Sequence, residues 1–173
     1  MTLPLNCDSC ALPAFAAEEA SPGHSGKKRP QVLVVDDDAD NLQLACYVAE
    51  QAGYAVLSAK TGRQALELIG HQAIDLLLLD VVLPELDGFA VLKRVRAGAD
   101  QALMGPRSSQ ALPVIAITAL ASEADQREIM AAGFNDYLCK PYSIQALESL
   151  LARYCPLDNP AIIAPESPLT SQR

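Results

Sequence analysis

The sequence predicts a doubly wound α/β domain, and three observations carry that prediction. The stretch Asp75-Leu76-Leu77-Leu78-Leu79-Asp80-Val81-Val82-Leu83-Pro84 has four consecutive leucines without polar alternation. That is the pattern of a strand buried on both faces of a helix-covered parallel sheet. Four other short apolar runs recur along the chain, and a stretch with helical spacing follows every run, giving five strands alternating with five helices. Finally, runs one, three, four and five end on Asp36-Asp37, Asp80, Thr118 and Lys140. Parallel sheets gather their ligands outside the carboxyl ends of their strands, so these polar residues fall where chemistry belongs.

The first strand is Gln31-Val32-Leu33-Val34-Val35, stopped by Asp36-Asp37-Asp38. Asp40-Asn41 supply helix-start chemistry, Leu42, Ala45, Val48, Ala49 and Ala52 recur at helical spacing, and Gly53 fits the residue after the helix. Ala55 to Ala59 is the second strand. Thr61 and Gln64 fit a capping box for a helix that buries Ala65, Leu66, Leu68 and Ile69 and ends near Gly70-His71. His71 at that polar end is read as a solvated residue, not a ligand. After the leucine strand comes the loop Pro84-Glu85-Leu86-Asp87-Gly88, then a helix with Phe89, Val91, Leu92 and Val95 inward and Lys93, Arg94 and Arg96 outward. Gly98 to Leu112 loses its period and is read as an extended loop. Pro113 to Ile117 leads to Thr118; Ser122 to Ala132 is helical and closed by Gly133; Asp136 to Cys139 leads to Lys140-Pro141. Ser143 caps a last helix with Ile144, Leu147, Leu150, Leu151 and Tyr154 facing in.

The ordered domain is expected to span residues 31–155, between a disordered leader (1–30) and a disordered tail (156–173), both broken by prolines. Thirteen basic against 21 acidic residues give a net charge of −8, which disfavours nucleic-acid binding through the domain surface. No apolar stretch has membrane-spanning length, and the first residues lack the basic start of a secretory signal, so the expectation is a cytoplasmic protein without membrane insertion. The five cysteines are scattered: Cys46, Cys139 and Cys155 read as small reduced hydrophobes. Cys7 and Cys10 have the spacing of half a zinc or redox site, but a second Cys/His pair at ligand spacing is missing.

Brought to one sheet edge, Asp36, Asp37 and Asp80 repel one another and favour a hard divalent cation. Oxygen-only ligands with open water positions suit Mg2+ rather than zinc. A carboxylate beside Mg2+, with Lys140 and the Thr118 hydroxyl near, is equipped to attack phosphorus and form an aspartyl phosphate.

The set Val34-Val35-Asp36-Asp37-Asp38, Asp80 with Pro84 and Gly88, Thr118-Ala119 and Lys140-Pro141 closely resembles the receiver domains of two-component response regulators, over roughly Gln31 to Tyr154. The resemblance implies a flavodoxin-like (βα)5 fold with strand order 2-1-3-4-5. It makes Asp80 the phosphoacceptor, with Mg2+ on Asp36, Asp37, Asp80 and the Val82 backbone carbonyl. Lys140 then contacts the phosphoryl group, and the Lys140-Pro141 bond is cis. It also implies a switch in which Thr118 moves toward the phosphoryl group and Tyr137 turns inward, with Ala121 to Tyr154 as the output face.

The function so implied is that of a stand-alone receiver, not an enzyme beyond its own phosphorylation and dephosphorylation. Its partners are a sensor histidine kinase or histidine phosphotransfer protein and a downstream protein target. Ala132 to Pro141 is similar to receivers of hybrid kinases, which implies phosphorelay or adaptor roles. Val82 and Leu120, two residues beyond Asp80 and Thr118, are apolar and cannot orient an attacking water, so a long-lived phosphoryl group is expected. Two other readings compete. One is a degenerate receiver that scaffolds partners without phosphorylation, although its acidic site is intact. The other is a haloacid-dehalogenase-like phosphatase using the Asp36-x-Asp38 pair, although that family wants Thr or Val where Asp40 stands, and generally a cap domain.

Overall fold

The computed structural model describes residues 29–97, 112–119 and 122–157. The leader with Cys7 and Cys10, most of the 98–112 segment, Leu120, Ala121 and the tail from 158 lie outside the described residues. Five strands, β1 (Gln31–Val35), β2 (Ala55–Ala59), β3 (Leu76–Asp80), β4 (Val114–Thr118) and β5 (Asp136–Cys139), alternate with five helices. These are α1 (Ala39–Gln51), α2 (Gly62–His71), α3 (Gly88–Ala97), α4 (Glu123–Ala132) and α5 (Ile144–Tyr154). All strand pairs are parallel and the sheet order is β2-β1-β3-β4-β5, the predicted one.

The central strand explains why the leucine run has no polar partner: all five residues of β3 are buried. Successive side chains point to opposite faces. Leu77 and Leu79 therefore join one core, with Leu33, Val35, Val91, Val95, Ala116 and Ile129. Leu76 and Leu78 join a second core on the other face, with Val32, Val34, Leu42, Val48, Ile115, Leu147 and Leu151. The Pro30 carbonyl accepts from Ala55 N–H at 3.0 Å, and Leu157 packs on the second core.

Four local expectations change. The cap of α1 is Asp38, whose carboxylate accepts from the N–H groups of Asp40 and Asn41, so the third aspartate of the run starts the helix. Thr61 caps α2 as predicted, but the Gln64 side chain accepts from Lys60 N–H, one residue before the capping-box position. Ile144 is 46% exposed because it is the first residue of α5, before the helix has turned its apolar stripe onto the sheet. Arg96 does not point into solvent. Burial lowers its pKa, and its guanidinium donates to Leu112 O, Gly133 O and Asn135 Oδ1 at 2.8, 3.1 and 2.7 Å.

Candidate functional site

The strand order brings the candidate residues together. β3 lies between β1 and β4, so Asp80 at its carboxyl end is flanked by Asp36, just past β1, and by the last residues of β4. Thr118 ends β4, pairs with Cys139 of β5, and is fully buried. The next residue of the β5 chain is Lys140, joined to Pro141 by a cis peptide.

Asp36 and Asp80 are only 3% and 6% exposed, whereas Asp37 faces solvent. Carboxylate oxygens of all three lie within 4.8 Å of one another. The Lys140 ammonium bridges the two buried members, with Nζ 2.6 Å from Asp36 Oδ2 and 2.5 Å from Asp80 Oδ2. Their other oxygens are held by the backbone: Asp36 Oδ1 accepts from Asp38 N–H at 3.0 Å and Asp80 Oδ1 from Val82 N–H at 2.8 Å. Each carboxylate is thus fixed in rotation by one main-chain and one charged donor.

Burial pushes the Asp36 carboxyl above its usual value, and Lys140 only partly opposes this. Burial alone would pull the Lys140 ammonium down, but its bonds to Asp36 and Asp80 more than reverse that and hold it protonated. An oxygen-only cluster around one lysine, with one carboxylate open to solvent, fits a hard divalent cation that keeps some of its water. The residues that would hold it are Asp36, Asp37 and Asp80; Val82 already fixes Asp80 through its N–H, and Val82 itself is 61% exposed.

Tyr137 stands apart from this pocket. It is half-buried against the α2–α3 side core, and its hydroxyl donates to Gln126 Oε1 of α4 at 2.8 Å. Asp38, the second carboxylate of the pair a phosphatase site requires, is engaged as the α1 cap and faces the helix amides. The sequence reading placed Gly88 in the site but not its role: a Cβ there would lie 2.5 Å from the Asp80 carbonyl oxygen and 2.9 Å from Val81 Cα. α3 therefore starts directly against the end of β3, which only glycine permits.

Fold and site together define a flavodoxin-like domain with an acidic, lysine-bridged pocket at the carboxyl edge of its sheet. The chain belongs to the response regulator receiver domain family, whose profile matches residues 32–152. It is therefore a receiver domain of two-component signalling. An uncharacterised 14.6 kDa protein of Leptolyngbya boryana is 39% identical over 124 residues, 72% of this chain and 88% of that one. The sensor protein GacS of Pseudomonas syringae is 33% identical over 78% of this chain, which spans only 14% of that protein. Among solved structures, the receiver domain of the Pseudomonas aeruginosa sensor histidine kinase PA1611 is described with magnesium coordinated in its active-site cleft. It is 30% identical, with a TM-score of 0.63 over 74% of this chain and 98% of that one. A putative response regulator of Chloroflexus aurantiacus is 33% identical, with a TM-score of 0.64 and coverage of 74% and 98%. Among the described residues no helix is long and apolar enough to cross a membrane.

Proposed function

We propose that this receiver accepts a phosphoryl group from a phosphohistidine onto Asp80, with Mg2+ held by Asp36, Asp37, Asp80 and the Val82 carbonyl, and signals by protein contact. The observation that carries this reading is the lysine bridge between two nearly buried carboxylates, 2.6 and 2.5 Å from the ammonium. Two fixed carboxylates and one fixed cation at a sheet edge are preorganised for charge that grows on a transferred group. An Asp80 oxygen attacks phosphorus as the P–N bond to the donor imidazole breaks, and the imidazole leaves with that electron pair. Lys140 keeps its proton throughout and offsets charge on the phosphoryl oxygens, and the Thr118 hydroxyl donates to one of them. When bound, Mg2+ supplies the remaining offset of negative charge.

The donor is a sensor histidine kinase or a histidine phosphotransfer protein, and the output runs through the face built from α4, β5 and α5. The chemistry is confined to the chain's own phosphoryl group. The test is incubation of the purified protein with Mg2+ and a small phosphodonor beside Asp80→Asn. The expected result is an acid-stable, base-labile label absent from the variant. An unlabelled, folded wild type would favour a phosphorylation-independent scaffold. A label that survives Asp80→Asn but disappears in Asp36→Asn would favour a phosphatase-like site.

A further inference from the structure

The loop that follows Asp80 is bent in a way its own residues do not favour. Leu86 N–H donates to the Pro84 carbonyl at 2.7 Å, which closes a three-residue turn around Glu85, and Glu85 takes a left-handed φ of 65° without being glycine. A γ-turn of this hand is strained, and such strain persists only where neighbouring structure over-determines it. The neighbour is α2. Gly62, its first residue, is buried, and a Cβ there would lie 2.7 Å from the Leu86 carbonyl oxygen and 2.6 Å from Val91 Cγ2. A side chain at position 62 would therefore press on the main chain of the loop and on a fully buried valine of α3. Of the two bodies α2 is the stiffer, since Ala65 and Ile69 fix it in the core, whereas Val82, Pro84, Glu85 and Asp87 of the loop are exposed. The loop is what gives way. Its near end is Val82, whose N–H holds Asp80 Oδ1 at 2.8 Å.

We propose that Gly62 is a positioning residue for the acidic pocket: by letting the loop seat against α2, it holds Asp80 and Val82 in the geometry that selects Mg2+ over Ca2+. The inference rests on the Mg2+ reading above. Mg2+ demands near-octahedral oxygens at about 2.0–2.1 Å, whereas Ca2+ accepts about six to eight oxygens at about 2.3–2.6 Å in flexible arrangements. A Cβ at position 62 forces a shift, because contacts under 3.0 Å do not persist. A loop displaced in this way costs the exacting ion more than the tolerant one. Asp36 and Asp37, which follow β1, are not part of the displaced loop, so the change in selectivity arises at Asp80 and Val82.

The experiment titrates the full chain with Mg2+ and, separately, with Ca2+ by calorimetry, with urea stability in chelator alongside. The proteins are wild type, Gly62→Ala, Val91→Ala, the double variant Gly62→Ala/Val91→Ala, and Asp80→Asn. Altering the groups that hold metal ligands in place typically changes affinity by about 10- to 100-fold. Gly62→Ala is expected at the lower end, with Mg2+ about tenfold weaker and a smaller loss for Ca2+. A merely structural role would lower stability and leave the ratio of the two affinities at its wild-type value; that result overturns the proposal and leaves the metal reading in place. The double variant removes the Val91 methyls but keeps the Leu86 carbonyl as an obstacle, so its ratio stays altered relative to Val91→Ala. A ratio equal to that of Val91→Ala traces the effect to crowding in the core and also overturns the proposal. Should Gly62→Ala fail to fold, the double variant, with one obstacle removed, decides on the same ratio. Wild type that binds Mg2+ no more tightly than Asp80→Asn overturns the metal reading, and the role of Gly62 with it.

Discussion

Replacing Lys140 with methionine keeps the length and apolar stem of the side chain and removes only the ammonium. Two charge-assisted bonds are lost, at 2.6 and 2.5 Å, and the two carboxylates left behind are 3% and 6% exposed. Bonds to charged groups contribute about 1.5–3 kcal/mol each, and removing one partner of a buried ion pair costs about 3–5 kcal/mol. The lower part of that range applies to a lysine whose side chain is 17% exposed. We expect Lys140→Met to lose about 3–4 kcal/mol in the absence of divalent cation. The same variant leaves three carboxylates with no cation among them, so Mg2+ binds it more tightly than wild type. Saturation at about a hundred times the dissociation constant returns about 2.7 kcal/mol. Urea unfolding at neutral pH, with and without Mg2+, measures both quantities. A metal-free loss below about 1 kcal/mol, or a loss that Mg2+ leaves unchanged, would show that the bridge is screened by solvent and would refute the reasoning.

Gly88→Ala forces a Cβ to within 2.5 Å of the Asp80 carbonyl oxygen. It should cost about 1–3 kcal/mol and slow Asp80 labelling; wild-type labelling rates would contradict the close-approach argument. Burial pushes the Tyr54 hydroxyl, which donates to Cys155 O, from the usual 10.0 up to about 12. The folded state then keeps a proton that the unfolded chain releases, so this contribution is intact below pH 10 and is lost as pH rises toward 12. Alkaline unfolding of Tyr54→Phe should show a shallower slope, and identical slopes would count against it. Arg96→Met strips donors from Leu112 O, Gly133 O and Asn135 Oδ1 and should cost about 2–4 kcal/mol, read from urea midpoints. The exposed Val82 side chain offers no group to orient water; Val82→Asn should shorten the phosphoryl lifetime by about tenfold or more, and loss of wild-type label within seconds would refute the premise.

What the sequence displayed openly was whatever depends on local pattern. A run such as Leu76 to Leu79 has one physical solution, and four strand ends carrying Asp, Thr or Lys converge as soon as the strands are parallel. The cap of α1 was missed by two residues because Asp36 to Asp38 and Asp40 are interchangeable by composition; only backbone geometry assigns one to the metal-competent pocket and another to the helix amides. Arg96 was misread because its acceptors lie 16, 37 and 39 residues away, and two of them are backbone carbonyls that leave no trace in residue identity. Asn135 was silent for the same reason: its Oδ1 also accepts from Val114 N–H at 2.8 Å, standing in for a strand residue. The Tyr137–Gln126 bond depends on how α4 sits against β5, which no helical periodicity specifies.

The sheet is also a partition. Leu78 and Leu79 are consecutive, yet one packs with α1 and α5 and the other with α2, α3 and α4. These two neighbours thus sit in different packing clusters, while Leu79 and Ile129, 50 positions apart, belong to one packing unit. The half of the interior that carries Tyr137 and α4 can therefore be repacked by mutation while the half beneath α1 and α5 is left alone. A lineage could retune the α2, α3 and α4 side of the molecule without loosening the other, and the central strand would serve both.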